Sequence, residues 1–394
     1  MKIGIVLSQV PGYSETFFNN KISGLIKDGN RVSLFVQAGG ENMATAYPIF
    51  RAPNLSGSTI SRAFNSFFAL LNLFLFSFKP AYLFWKLEKV SGSSFSKIIK
   101  RLIINSHILN QKLHWLHFGY ATMGLEREQV GKAIGARVAV SFRGYDISMY
   151  PLKHPGCYNQ LWKNIDKVHT ISDDLLHEAY LLGLPKTIET VKITPAIEVE
   201  NFVHSRGRFF ENKTLRILTV GRLHWKKGLE YTLEALAQLK KQGYTIHYTM
   251  VGTGIEYERL VYAAYQLELA QEVHFIGKLP HAQIPHLMAT HDVYIQYSVQ
   301  EGFCNAVLEA QAAGMLCVVS DAEGLSENVL HNQTGWVVPK RKPELLAKQI
   351  VKVYTKAHPE LETISRNAVA RVKQEFNLEK QKEEFKHFYS TESI

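Results

Sequence analysis

Residues 215–242 read LRILTVGRLHWKKGLEYTLEALAQLKKQ, and this stretch decides the fold. Apart from Arg216, residues 215–220 are leucine and β-branched side chains in a short run, which predicts a strand. From 228 to 242, Leu229, Leu233, Leu236 and Leu239 recur at helical spacing, so a helix follows. Strand, short glycine-flanked turn and amphipathic helix form the repeating unit of a parallel sheet covered by helices. The unit recurs downstream. TIHYTMV (245–251) precedes a helix at 256–268, and EVHFI (272–276) precedes one at 281–290. VYIQY (293–297) is followed by a helix near 305–313, then by LCVVS (316–320) and GWVV (335–338). Two or three helices, about 342–355, 359–375 and 378–389, close the chain. Upstream, strand-like runs at 2–7, 31–36, 112–118, 137–142, 167–171 and 190–194 alternate with helical segments such as 17–27 and 123–134. Residues 195–213 have no period and read as a linker. The expected architecture is α/β, with two Rossmann-like domains whose parallel sheets face a cleft. Ligands should then bind at the carboxyl ends of the strands.

Composition narrows the function. The 394 residues are 46% hydrophobic, 20% charged and 11% aromatic, which excludes a disordered, collagenous or disulfide-framework chain. Lys and Arg number 45 against 35 Asp and Glu, a net +10 that calls for an anionic partner. The three cysteines, Cys157, Cys304 and Cys317, have no CxxC spacing, so a thiolate zinc site is not expected and a reducing cytoplasm fits. The N-terminus lacks the apolar stretch and cleavage site of a signal peptide. Residues 63–78 are apolar, but they hold Asn65, Ser66, Asn72 and Ser77 and number 16, against the roughly 20 a spanning helix needs. In 79–101, Lys79, Lys86, Lys89, Lys97, Lys100 and Arg101 interleave with aromatic and aliphatic residues. That pattern suits an anionic membrane surface, or else core helices with solvated lysine faces. No signature of a nucleic-acid-binding fold is present, so no nucleic-acid partner is expected.

Two segments carry the chemistry. Gly221-Arg222-Leu223-His224-Trp225-Lys226-Lys227-Gly228 lies between a strand and a helix. There the free N–H groups of the helix start, the Arg222 fork and the Lys227 charge suit a diphosphate. It is not a Walker A loop. Glu301-Gly302-Phe303-Cys304-Asn305-Ala306-Val307-Leu308-Glu309 places two carboxylates eight residues apart, Glu301 in a loop and Glu309 inside a nearly uncharged helix. A lone buried Glu needs a partner, either sugar or ribose hydroxyls or a protein amide or cation. Gly252 and Gly254, after strand 245–251, would lie beside a nucleotide, although the GxGxxG fingerprint is incomplete. Glu327 is either a cleft carboxylate or a helix-start charge. In the first half, the loop with Gly12, Ser14 and Glu15 follows strand one; Ser14 or Glu15 would cap the next helix, or else the loop's amides face the donor across the cleft with Ser14 and Glu15 as acceptor or sugar binders. His117, Arg143 and Asp146 sit at strand ends where acceptor or sugar groups would bind. His114 and His117 lack a third metal ligand, so no metal site is expected. Asp173-Asp174 reads as a helix start capped by Ser172.

These residues resemble a known family. GRLHWKKG (221–228), the strand–GTG–helix after it, VHFIGKLPHAQIPHLM (273–288) and EGFCNAVLEAQAAGMLCVVSDAEGLSENVLHNQTGWVVP (301–339) look like the donor domain of retaining glycosyltransferases of family 4, which have the GT-B fold. PGYSETFFNNKISGLIKDGNRV (11–32), LHFGYATMG (116–124) and SFRGYDI (141–147) resemble the exopolysaccharide and lipopolysaccharide branch. The resemblance implies an acceptor domain at 1–195, a donor domain at 196–375 and a last helix, 376–394, that returns to the first domain. It also implies a UDP-sugar or GDP-sugar donor, with a saccharide or polyprenyl-diphosphate-linked saccharide as acceptor. No cofactor or metal would be required. Arg222, Lys227 and Glu301 would be catalytic, the first two on the diphosphate and Glu301 on the transferred sugar. Glu309 would bind ribose, with Gly12, Gly221, Gly252, Gly254, Gly302, Phe303, Asn305 and Glu327 around the donor. Where the family has His-Gly-x-Asp this chain has Arg143-Gly144-Tyr145-Asp146. Arginine cannot act as a base at neutral pH, so Arg143 is read as a phosphate or acidic-sugar binder. A nucleotide-sugar epimerase and a non-catalytic nucleotide-sugar-binding partner are the rival readings.

Overall fold

The computed structural model describes every residue except 13–15, 38–45, 203–208 and 391–394. The chain divides into two compact units, one of residues 1–193 with the stretch from Lys382, the other Thr194–Gln381. In the first, β1 (Lys2–Val6), β2 (Arg31–Val36), β3 (Ile49–Arg51), β4 (Trp115–Phe118), β5 (Arg137–Phe142), β6 (Lys167–Thr170) and β7 (Glu189–Lys192) form one sheet, ordered β3-β2-β1-β4-β5-β6-β7. In the second, β8 (Thr214–Val220), β9 (Thr245–Val251), β10 (Val273–Gly277), β11 (Val293–Gln296), β12 (Leu316–Ser320) and β13 (Trp336–Val338) are ordered β10-β9-β8-β11-β12-β13. Every pair in both sheets is parallel. Each sheet reverses its strand order beside its first strand, β1 or β8, which makes that point a crevice at the carboxyl ends.

Helices follow the strands. In the first unit these are α1 (Thr16–Lys27), α2 (Thr59–Phe76), α3 (Phe78–Val90), α4 (Phe95–Leu109), α5 (Val130–Ile134), α6 (Tyr150–Lys153) and α7 (Asp173–Leu181). In the second they are α8 (Leu229–Lys241), α9 (Tyr257–Gln266), α10 (Ile284–Ala289), α11 (Asn305–Ala312), α12 (Leu325–Asn328), α13 (Pro343–Tyr354) and α14 (His358–Glu375). The last helix, α15 (Leu378–Tyr389), passes from one unit to the other. Gln381 Nε2 donates to the Thr194 carbonyl (2.6 Å), while Phe385, Phe388 and Tyr389 complete the first unit's core with Ile3, Ile5 and Phe17. The second core gathers Ile217, Leu233, Leu236, Tyr248, Ile295 and Val318. Central strands such as β12 are buried on both faces, which is why LCVVS is apolar without alternation.

Two expectations differ from the structure. The helix expected at 123–134 exists only as α5. A 3₁₀ turn occupies Ala121–Gly124 and Glu126 takes φ +63, a left-handed conformation that stops a helix. The apolar stretch 63–78 belongs to α2, which begins at Thr59 behind the Ser58 cap and runs 18 residues. By length and composition α2 is apolar enough to cross a membrane, the one such helix among the described residues. It is not a core helix, since only Ala69 and Leu73 are buried.

Helices α3 and α4 are joined by a buried charge. Glu88 is fully buried, and its Oε2 accepts from Arg101 Nη1 (2.7 Å) and from Ser93 Oγ (2.8 Å). Removing one partner of a buried pair strands the other charge, at a cost of about 3–5 kcal/mol. Arg101→Met is therefore expected to lower unfolding free energy by about 3–5 kcal/mol in urea titration. A change of a few tenths would mean Glu88 reaches water or a proton instead.

Candidate functional site

In the second unit the crevice lies between the loops that leave β8 and β11. The first loop runs through Gly221–His224 and a 3₁₀ turn, Trp225–Lys227, into α8; the second runs through Ser298–Cys304 into α11. Backbone ties lock them together. The Val299 and Gln300 N–H groups donate to the Lys226 carbonyl at 2.7 and 3.3 Å. Gly228 sits at φ +58, and a Cβ there would stand 2.2 Å from the Tyr297 carbonyl oxygen, so no other residue fits without moving β11. Gly252 packs as tightly on the first loop, with a would-be Cβ 1.8 Å from the Gly221 oxygen at φ +141. A Cβ at Gly254 would stand 2.0 Å from the Leu223 oxygen, and one at Gly324 1.9 Å from the Gly302 oxygen. Gly252 and Gly254 thus hold backbone against backbone, the physical reason for their small size here.

The two loops meet in one ion pair, Lys227 Nζ to Glu301 Oε2. Both side chains are about one-sixth exposed, at 16% and 17%. Burial pulls the Lys227 ammonium toward its neutral form, but the charge and hydrogen bond of Glu301 outweigh it and hold its pKa above the usual lysine value. Ser298 Oγ also donates to Glu301 Oε2 (3.3 Å), and the Glu301 N–H donates to Glu323 Oε2 (2.6 Å), whose other oxygen faces Lys340 Nζ (3.4 Å). The Lys227 ammonium lies against the bare backbone of Gly221. Arg222 is exposed on the same loop. Burial, followed by Lys226 and Arg222, lowers the pKa of His224, and burial with the Arg222 and Lys227 charges lowers that of Lys226, as a concentrated positive field requires. An anion is the ligand such a loop would take.

Helix α11 starts beside this pair. The Asn328 side chain clamps its entry, accepting from the Cys304 N–H (3.0 Å) and donating to the Cys304 carbonyl (3.1 Å). Gly302 and Phe303 are buried, the Phe303 ring tilted against Phe376 at 5.7 Å, and Asn305 is the first helical residue. Burial raises the Cys304 thiol to about 11, so it is an inert packing group. Glu309 is buried inside α11, where its Oε1 meets His281 Nε2 at 3.0 Å. That hydrogen bond raises the imidazole pKa above its ordinary value. Glu327 lies on α12, and its carbonyl accepts from Arg371 Nη2 (2.8 Å). Sequence reading missed His281, Glu323 and Asn328, each of which matters only through a partner distant in sequence.

The first unit treats its candidates differently. His117 is fully buried in a chain of hydrogen bonds whose direction follows from its end. The Ile193 carbonyl can only accept, so His169 Nε2 donates to it (3.0 Å) and His169 Nδ1 accepts from Ser141 Oγ (2.7 Å). Ser141 then accepts from His117 Nε2 (2.7 Å), and His117 Nδ1 accepts from the Tyr389 hydroxyl (2.6 Å). Burial and the charge of Lys21 hold both imidazoles well below their usual pKa. Asp146 is buried, with one carboxylate oxygen accepting from the Ala121 N–H (2.9 Å) and the other from the Arg143 N–H (3.0 Å). Burial raises its pKa against those bonds. The Arg143 guanidinium lies 3.7 Å over the Phe17 ring. The Gly12 carbonyl accepts from Asn19 Nδ2 (3.4 Å), whereas Ser14 and Glu15 lie outside the described residues. His114 Nδ1 accepts from the Lys2 N–H (2.8 Å), and Ser172 caps α7 at Asp173. Among the described residues, no three His, Cys, Asp or Glu side chains stand close enough to hold a metal.

Residues 203–371 match the family model described as glycosyl transferases group 1. The amylovoran biosynthesis glycosyltransferase AmsK of Erwinia amylovora is 27% identical over 96% of both chains. WcaL of Escherichia coli K12, assigned as a colanic acid biosynthesis glycosyltransferase, is 26% identical over the same shares. Among solved structures, Anabaena HepE in complex with UDP superposes with a TM-score of 0.72 at 16% identity, covering 98% of each chain. Sucrose-phosphate synthase from Thermosynechococcus elongatus gives 0.71 at 17%, again over 98% of each. The expected GT-B fold is borne out. Residues 203–371 are thus similar to group 1 glycosyltransferases, and the relatives matched over 96% of both chains carry the names of amylovoran and colanic acid biosynthesis glycosyltransferases.

Two outcomes follow from this geometry. Gly252→Ala forces a methyl into the Gly221 backbone and should lower unfolding free energy by about 2–3 kcal/mol or more by urea titration. The His281–Glu309 pair contributes stability in full below the ordinary imidazole pKa of 6.5, and loses it as pH rises through the raised folded value. The gap in urea midpoint between wild type and His281→Gln should therefore be wide at acid pH and narrow under alkaline conditions. A gap independent of pH would mean the imidazole is not charged in the pair.

Proposed function

We propose that the chain is a retaining glycosyltransferase that moves a hexose from a nucleotide-diphospho-sugar, UDP-linked sooner than GDP-linked, to a saccharide or lipid-linked saccharide. Its setting would be cell-surface polysaccharide biosynthesis at the cytoplasmic side of the membrane. The observation that carries the reading is the part-buried Lys227 ammonium, ion-paired to Glu301 at the carboxyl ends of β8 and β11 and flanked by Arg222 and by the starts of α8 and α11. The UDP, glucose and UDP-glucose complexes of HepE support a nucleotide sugar as the ligand class.

In this reading the incoming diphosphate competes with Glu301 for Lys227. Binding exchanges one ion pair for another, and the released Glu301 carboxylate accepts from hydroxyls of the transferred sugar. As the glycosidic bond to the diphosphate breaks, negative charge grows on the departing oxygen and positive charge on the sugar ring. Lys227, Arg222 and the helix-start amides face the first of these charges already oriented, which water cannot match. Glu309 takes the ribose hydroxyls, sharing its carboxylate with His281. The first unit holds the acceptor, with Arg143 on a phosphate or acidic sugar. The cations take the part a metal would play, so chelation should leave turnover intact.

Removing a preorganised charge of this kind costs on the order of 10² to 10³ in rate. Lys227→Ala should lower donor turnover by that factor while the protein stays folded by circular dichroism; near-normal turnover would refute the phosphate role. Thermal unfolding with UDP, GDP, ADP, CMP and NAD identifies the donor. A ligand at about 100 times its Kd stabilises by about 2.7 kcal/mol. The expected result is selective stabilisation by UDP that disappears in Lys227→Ala and Glu309→Ala. A response to NAD alone would transfer the site to a different chemistry. Release of nucleoside diphosphate only when acceptor is present separates transfer from epimerisation and from mere binding.

A further inference from the structure

Helix α2 is amphipathic the wrong way round for a core helix. Its inward stripe is narrow, made of Ser66, Ala69, Leu73 and the cap residue Ser77, while Phe64, Phe67, Phe74 and Phe76 project outward. Phe74 is 65% exposed and Phe76 77%. The outward surface continues onto α3 as an aromatic ladder. Phe74 contacts Phe78 (5.8 Å between rings), Phe78 stacks on Tyr82 (6.3 Å), Tyr82 on Trp85 (6.2 Å), and Lys89 Nζ sits 5.1 Å above Trp85. At the other end of α2, Phe64 packs on Phe68 at 4.5 Å, still facing solvent. Water is a poor solvent for such a surface, and an exposed patch of this size marks a contact with something apolar.

Charge identifies the occupant. Between residues 59 and 101 there are seven Lys and Arg and one acidic residue, Glu88. Glu88 is buried and paired with Arg101, so the exposed charge of the segment is wholly cationic before neighbouring segments are counted. Lys79, Lys86, Lys89 and Lys97 are exposed, and Lys100 pairs with Glu126. A ring of cations around exposed phenylalanines complements a bilayer whose anionic headgroups surround an apolar interior.

We propose that the α2–α3 face is a docking surface for an anionic lipid bilayer, with α2 lying in the interface rather than across it. At about 1.5 Å per residue its 18 residues reach about 27 Å, close to the thickness of the hydrocarbon. A spanning pose would strip Ala69 and Leu73 from α4, on which α2 packs, and carry Arg62, Asn65 and Asn72 into hydrocarbon. The flat pose keeps the inward stripe in place and sinks only the phenylalanines. The cations expected to touch lipid from 79–101 then form the collar, and the insertion comes from the segment just before them. This surface stands on its own geometry and holds whatever donor the second unit binds.

The test is co-sedimentation of the full chain with vesicles of phosphatidylcholine alone and of phosphatidylcholine mixed with phosphatidylglycerol. Wild type should bind the mixed vesicles and bind the neutral ones far less. Phe64→Ser/Phe74→Ser/Phe78→Ser, three exposed positions whose change leaves the thermal midpoint unaltered, should reduce partitioning by tenfold or more. Lys79→Glu/Lys86→Glu/Lys89→Glu should abolish the preference for anionic lipid, about two orders of magnitude or more at roughly a factor of five per charge. Wild type that ignores both vesicles overturns the proposal, as does a phenylalanine variant that binds like wild type. Self-association in buffer that the phenylalanine variant breaks, without vesicle binding, would assign the face to a second copy of the chain.

Discussion

An ammonium cut off from most of its water needs a partner, and the second unit is arranged around that constraint. Burial alone would drive the Lys227 side chain to give up its proton. Glu301 reverses that, and the pair holds together two loops that leave neighbouring strands in different directions. The loops can approach only because Gly228, Gly252, Gly254 and Gly324 bring backbone within van der Waals reach of backbone. Glu323 and Asn328 complete the arrangement by binding the amides of Glu301 and Cys304. A positive charge is thereby fixed where two parallel strands diverge, neutralised by a carboxylate that a stronger anion can displace.

The first unit makes a contrast. Two sets of its buried polar groups are tied within the unit: Tyr389, His117, Ser141 and His169 form a one-way chain ending on the Ile193 carbonyl, and Asp146 accepts backbone amides at both oxygens. The tautomers of both imidazoles follow from that one carbonyl. The chain fastens α15 to the sheet, Asp146 fastens the loop at 143–146 to the turn at Ala121, and the two imidazoles stay neutral because burial and Lys21 oppose their protonation. Arg143, stacked on Phe17, is the polar group of this set held by a ring face.

Period and composition carry the sheets because parallel strands leave a local trace. RVSLFV, RVAVSF and TIHYTMV are strands at the limits their composition suggests. What escaped has no local trace. The strand β3 is three residues long, too short for any period, and α5 is curtailed by the left-handed Glu126. The apolar run at 63–78 was legible as apolar, but the face it turns to solvent depends on α4. At the site, Lys227 and Glu301 stand out in sequence as separate charges. Their pairing, and the pairing of Glu309 with His281, arise from strand order, which places positions 74 and 28 residues apart side by side.

The central claim is that Lys227 changes partner, from Glu301 to a diphosphate. Calorimetric titration of UDP into wild type, Lys227→Met and Glu301→Gln tests it directly. If the ammonium is shared, Lys227→Met weakens UDP by at least tenfold, whereas Glu301→Gln binds UDP as tightly as wild type or more tightly, its competitor being gone. Equal weakening by both substitutions, or no effect of either, would contradict the exchange and leave the ion pair as a fastening between two loops.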